Sequence, residues 1–307
     1  MCKYLGLKLG LTEVINFSDG NTYVKIGEHV RGKEIYLVQP IGQNANNEFV
    51  ELLFWMDAFK RSGANYVTAV VPYFSYAKGD KKDEPRVSIR ARVCAECMEL
   101  AGADRVITMD LHAAQIQGFF KKPVDHLYAR PLLSEYLKTI ISKNSVVVSP
   151  DAGYAKMARK YAELLELPVA IGDKIRRGHD ENAEMLELIG DVSGKDAIII
   201  DDFSISGGTV VNLSQLLKKR GAKKIIACFS HLPLSEKGVE SIEKSEIDLV
   251  ISTDSVNNYR VKKLKKVKII SVAPLFAEAV KRMQMRESIS ELFDGVSEEI
   301  LKAAMKL

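Results

Sequence analysis

Ala197-Ile198-Ile199-Ile200-Asp201-Asp202-Phe203-Ser204-Ile205-Ser206-Gly207-Gly208-Thr209-Val210 decides how the rest of the chain is read. Its continuous apolar opening, rich in β-branched residues, fits a strand buried on both faces. Two carboxylates end that strand, and a Gly-Gly turn flanked by hydroxyls opens a helical stretch over Thr209–Arg220. A buried strand running straight into a helix is half of a parallel βαβ unit. Backbone N–H groups at a helix start suit a phosphate, and glycines put no Cβ in its way. Ser206 and Thr209 add hydroxyl donors. Asp201 and Asp202 would repel the phosphate, so they are expected to face sugar hydroxyls or a magnesium ion. The loop reads as built for a phosphorylated sugar; the plain alternative is a helix N-cap behind an ordinary strand.

The same alternation extends in both directions. Strands are expected at Ile35–Val38, Tyr66–Val71, Arg105–Met109, Ser145–Val148, Lys224–Phe229, Asp248–Ser252 and Lys268–Val272. Amphipathic helices are expected at Asn47–Ser62, Ser88–Ala101, Leu132–Ile141, Ala155–Leu165 and Pro274–Met285. Together they predict an α/β fold of mainly parallel sheets covered by helices. A short repeat marks the joints: Gly63-Ala64, Gly102-Ala103 and Gly221-Ala222 each follow a helix and open a strand, glycine supplying the left-handed cap. Two joints precede residue 140 and one follows it, which predicts two similar domains, 1–143 and 144–307, breaking near Lys143-Asn144. The length agrees, at about 150 residues per domain.

Composition narrows the function. Lys and Arg number 44 against 40 Asp and Glu, a net charge of only +4, which does not point to nucleic acid as partner. The run Lys262-Lys263-Leu264-Lys265-Lys266-Val267-Lys268 has no interleaved aromatics for base stacking and reads as a solvated face. No apolar run approaches the roughly 18–20 residues that span a bilayer, and Met1–Gly6 lacks a signal-peptide core. Four cysteines are too few for a disulfide scaffold and suit a cytoplasmic location. Cys94-x-x-Cys97 falls mid-helix, with no second pair and no nearby histidine, and reads as two core-facing thiols. Walker, G-x-G-x-x-G, H-E-x-x-H and G-x-S-x-G patterns are all missing.

Two more clusters sit just past expected strands, the ligand edge of an α/β sheet. Asp110-Leu111-His112-Ala113-Ala114-Gln115-Ile116-Gln117-Gly118-Phe119-Phe120-Lys121-Lys122-Pro123-Val124-Asp125 offers an acid and a histidine for a metal or a phosphate. Ser149-Pro150-Asp151-Ala152-Gly153 places another carboxylate. Segment 110–125 resembles the signature of the ribose-phosphate pyrophosphokinase family at every specified position, and 149–153 and 201–209 resemble further motifs in order. Phe17-Ser18-Asp19-Gly20 and Val71-Pro72-Tyr73…Tyr76-Ala77 extend the likeness over nearly the whole chain.

The resemblance implies two phosphoribosyltransferase-type α/β domains and magnesium-dependent transfer of the diphosphoryl group of ATP to the C1 hydroxyl of ribose 5-phosphate. It implies that His112 and Asp151 hold magnesium and the diphosphate, and that Asp201 and Asp202 face the ribose hydroxyls. Ser206, Gly207, Gly208 and Thr209 would cradle the 5-phosphate. Lys174 and Arg176 match the Lys-x-Arg pair of a mobile catalytic loop, where they would neutralise the transferring group. ATP would meet Phe17, Asp19, Asn21, Lys78 and His112, with Phe17 stacking on adenine from a neighbouring subunit of a homodimer or homohexamer.

The chain departs from the family pattern at several points. Asn21 stands for Glu, Lys78-Gly79 for Arg-Gln, Ile205-Ser206 for Asp-Thr and Tyr154 for Gly. The loop around Lys174–Asp180 is one residue longer, and the first strand and most of the first helix are missing before Leu5–Gly10. These departures leave open an alternative, a weakly active or inactive paralogue serving as a regulatory subunit.

Overall fold

The structure, a computed structural model, describes residues 1–176 and 184–306, and for 174–176 and 184–186 the backbone alone. The described elements begin with α1 (Cys2–Leu5), β1 (Thr12–Asn16), β2 (Thr22–Ile26), β3 (Glu34–Val38), α2 (Ala45–Arg61), β4 (Tyr66–Val71), α3 (Arg90–Ala101), β5 (Arg105–Met109) and β6 (Val124–Leu127). They continue with α4 (Arg130–Lys138), β7 (Ser145–Ser149), α5 (Ala155–Leu165), β8 (Val169–Arg176), β9 (Glu184–Ile189) and β10 (Asp196–Phe203). Last come α6 (Gly208–Lys219), β11 (Ile225–His231), α7 (Glu236–Glu243), β12 (Leu249–Thr253), β13 (Val267–Ile270), α8 (Ala273–Met285) and α9 (Glu298–Met305).

Two sheets carry the fold, as the strand–helix alternation predicts. The first is parallel throughout, in the order β3-β4-β5-β6. The second runs β13-β12-β11-β10-β7-β8-β9 and is parallel except for its edge pair β8–β9. That antiparallel arm and the separate β1–β2 hairpin were absent from the expected strands. Every residue of β1 is exposed, so it carries no buried-strand pattern to read.

The chain divides into two compact units, 1–128 with 255–257 and 273–293, and 129–254 with 258–272 and 294–307. The expected break near Lys143 placed α4 in the first domain; it belongs to the second unit, because it packs on α5. Helix α8 returns to the first unit, where Glu278 accepts from the Tyr4 hydroxyl and Gln284 donates to Glu34.

The two units repeat one another in detail. The N–H of Gly32 donates to Gly63 O at 2.8 Å, and that of Gly194 to Gly221 O at 2.9 Å. Asp104 Oδ2 accepts from Val67 N–H at 2.8 Å, and Asp248 Oδ2 from Ile225 N–H at 2.7 Å. The glycine joints at 63, 102 and 221 all have positive φ, as read from the sequence. So β3-α2-β4-α3-β5 corresponds, element for element, to β10-α6-β11-α7-β12.

Candidate functional site

In the second sheet the chain runs from β7 outward to β8, then returns to β10 and proceeds the other way through β11, β12 and β13. The β7–β10 pair is therefore the switch point, where connections diverge and leave a crevice beyond the strand ends. Both expected acid clusters stand at the C-terminal ends of these strands: Asp151 comes just after β7, while Asp201 and Asp202 are among the last residues of β10.

The Asp151 carboxylate accepts from the Tyr154 N–H at 3.0 Å, and Ser149 Oγ donates to the Asp151 carbonyl at 2.7 Å. Gly172 allows β8 to pass close by, since a Cβ there would lie 2.9 Å from the Pro150 carbonyl oxygen. The Asp202 N–H donates to Asp201 Oδ1 at 2.9 Å, and the Phe203 N–H to Asp202 Oδ1 at 2.8 Å. Burial, then the charge of Asp202, with a smaller push from Asp151, raises the Asp201 carboxyl to about 8. Paired carboxylates are hard oxygen donors that suit sugar hydroxyls or a magnesium ion, although no three acidic, histidine or cysteine side chains among the described residues are gathered closely enough to hold a metal by themselves.

This has a measurable consequence. A carboxyl raised on folding favours the folded state at low pH, and that contribution is lost as pH rises from 3.8 toward about 8. Without ligands, Asp201→Asn is expected to melt higher than the parent at about pH 8.5, by roughly 2–4 °C, with little difference near the unperturbed carboxyl range. Melting curves that shift equally with pH in both proteins would contradict it.

Beyond Asp202 the chain turns at Gly207 (φ 75°) and enters α6. The left-handed backbone alone favours glycine there. A Cβ would also lie 3.1 Å from Ile242 Cγ1 and 3.4 Å from the Gly238 carbonyl oxygen, both on α7. Conversely, a Cβ on Gly238 would stand 2.5 Å from the Ile205 carbonyl oxygen. The loop is thus seated on α7, tied further by Ser235 N–H donating to Ile205 O at 2.9 Å. Ser206 and Gly208 are left exposed and Thr209 half-buried at the helix start, in place for an anion. Gly238→Ala is expected to push the loop off α7 and raise KM for a phosphorylated sugar bound there about 10- to 100-fold, the loss of one or two charged hydrogen bonds. Steady-state kinetics with each substrate varied will show it; an unchanged KM for the sugar would contradict it.

The equivalent loop of the first unit, between β3 and α2, cannot serve an anion. Its Gly42 N–H already donates to the carboxylate of Glu48, in the first turn of α2. Gln39-Pro40 also stands where the acid pair would be. The first unit instead offers the loop after β5. Asp110 holds a left-handed backbone (φ 40°), and Leu111 and Ile116 are buried on either side of an exposed His112. Lys78 is exposed on the short helical turn after β4, the neighbouring strand. Phe17, Asp19 and Asn21 lie in the β1–β2 turn, where Asp19 accepts from Asn21 N–H and Asn21 from Thr22 N–H. The Phe17 ring is 50% exposed.

Comparison with known proteins agrees with this arrangement. Residues 1–102 match the N-terminal domain of ribose phosphate pyrophosphokinase, and residues 173–294 match the phosphoribosyl synthetase-associated domain. A ribose-phosphate pyrophosphokinase of Helicobacter hepaticus is 46% identical over 293 residues, covering 95% of this chain and 94% of the relative. The chain belongs to the ribose-phosphate pyrophosphokinase family. The enzyme of that name from Caldanaerobacter subterraneus is 45% identical over 95% of this chain and 93% of its own. The crystal structure of phosphoribosylpyrophosphate synthetase from Mycobacterium smegmatis superposes with a TM-score of 0.87 at 34% identity, over 93% of this chain and 94% of that one.

In this chain Lys174 and Arg176 lie on β8 rather than in a loop, since 171–176 pairs antiparallel with 184–189. The rest of the expected loop, from residue 177, falls outside the described residues. Cys94 is buried in the first unit's core, and burial and the neighbouring Cys97 push its thiol up to about 12. Sequence reading passed over Gly238, His126 and Glu48. A glycine inside the amphipathic α7 was the available signal for the first, being poorly placed in a helix without a packing reason.

Proposed function

We propose that this chain transfers the β,γ-diphosphoryl group of ATP to ribose 5-phosphate, giving phosphoribosyl pyrophosphate and AMP. The observation that carries the reading is the carboxylate-flanked anion loop at the β7–β10 switch point, in a chain of this family. Ser206 through Thr209 bind the 5-phosphate, and Asp201 and Asp202 accept from the ribose hydroxyls and orient C1. Lys78, Asp19 and Asn21 hold ATP, and His112 takes its diphosphate. Asp151 and His112 would hold magnesium, which would neutralise phosphate charge. The C1 hydroxyl oxygen forms a bond to the β-phosphorus, and its proton passes to solvent. The bond from that phosphorus to the α-phosphate oxygen breaks, and AMP leaves. Lys174 and Arg176 neutralise the charge on the transferring group.

We further infer a homodimer or homohexamer in which Phe17 stacks on the adenine of a neighbouring subunit. Exposed Val14, Ile15, Phe17 and Tyr23 on one hairpin support this. A cytoplasmic location fits the four free cysteines, and no helix among the described residues is long and apolar enough to cross a membrane. The test is AMP release by pure protein given ATP, magnesium and ribose 5-phosphate. AMP is expected only when all three are present. No AMP across several nucleotides and phosphate levels would overturn the reading and favour a regulatory subunit.

A further inference from the structure

The loop that presents His112 is strained at its first residue and clamped at its second. Asp110 takes φ 40°, a region that an L residue holds only where its surroundings impose it. Two contacts from β6 bear on this turn. Asp110 N–H donates to Leu127 O at 3.1 Å, and Leu111 N–H donates to His126 Nε2 at 2.9 Å. A ring nitrogen that accepts carries no proton, so this bond assigns the imidazole hydrogen to Nδ1. The Gln117 side-chain amide lies 3.4 Å from Nδ1 and itself donates to Ala114 O at 2.9 Å. With the hydrogen on Nδ1, that amide NH2 is a second donor and no partner for the ring, so His126 holds the loop through the Leu111 N–H.

The ring is itself buried and packed. The ring is 5% exposed and lies 4.6 Å from the Tyr128 ring, which meets Phe293 edge-on at 6.1 Å. On the opposite face of β6, Asp125 is gripped by Arg105 at 2.6 Å. A side chain with so little freedom can hold a strained turn.

We propose that His126 is a positioning residue: its Nε2 captures the Leu111 N–H and so sets the direction in which His112 leaves the sheet. The proposal rests on the reading that this loop serves the diphosphate of ATP.

The test compares His126→Phe, which keeps a ring without the acceptor, with His126→Gln, whose side-chain oxygen reaches a similar position. In the full chain, His126→Phe is expected to lower kcat about 10- to 100-fold, the scale of losing an outer partner of a ligating residue. KM for ribose 5-phosphate is expected to stay within twofold, because Ser206–Thr209 are untouched. His126→Gln is expected to recover kcat to within about fivefold of the parent, a rescue that mere core filling would not give. Amide hydrogen exchange reads the clamp without turnover: the Leu111 N–H is expected to exchange faster in His126→Phe and to remain protected in His126→Gln. Unchanged kcat in His126→Phe, no advantage of His126→Gln over it, or a protected Leu111 amide in it would overturn the proposal. Should His126→Phe not fold, nitrogen NMR of the parent decides: unprotonated Nε2 at neutral pH supports the clamp, and protonated Nε2 overturns it. A parent that releases no AMP would instead defeat the functional reading, leaving exchange and NMR to judge the clamp.

Discussion

Lys174→Ala is expected to lower kcat about 10³-fold while leaving both KM values within a few-fold. Phosphoryl transfer asks little covalent chemistry of a protein; the work is to position the reactants and neutralise charge that spreads over the transferring group. A cation that meets this charge mainly in the transition state affects kcat, because ground-state binding does not depend on it. Family resemblance assigns the role to Lys174 and Arg176, and the backbone places both on β8, the strand that follows the Asp151 segment and α5. Arg176→Ala is expected to behave alike, and the double variant to fall short of the product of the two, since paired groups act together. Rapid-quench measurement of AMP formation checks this. A kcat within tenfold of the parent for both single variants would take the pair out of the catalytic step.

His112→Ala is expected to reduce AMP formation about 10²- to 10³-fold, the scale of losing one preorganised charge-stabilising group. His112 is exposed between two buried anchors, so its removal leaves the core intact. The melting temperature should therefore stay within about 2 °C, as for surface changes away from special features. Full activity with an unchanged melting temperature would remove His112 from the site.

How much of this was legible in the sequence varied with the physics behind each feature. The apolar runs at Tyr66–Val71 and Ala197–Ile200 announced buried parallel strands because period and burial leave a local mark. The glycine joints were legible because a left-handed cap is a local demand. The acids of the switch point could be placed at strand ends, but their neighbourhood could not be read. It depends on β7 lying beside β10, a pairing across some fifty residues of chain. The β1–β2 hairpin stayed hidden because its strands bury so little. Lys174 and Arg176 were expected in a loop on the family resemblance alone, whereas 171–176 pairs antiparallel with 184–189. His126 carried no signal, a single buried histidine being as consistent with packing as with a purpose.

Diphosphoryl transfer moves two phosphoryl groups together, and ATP labelled at the β-phosphorus follows them. With ribose 5-phosphate and magnesium, the label is expected in the sugar product in equal amount to the AMP released. Label retained in ADP, with a single phosphate on the sugar, would contradict diphosphoryl transfer and the account built on it.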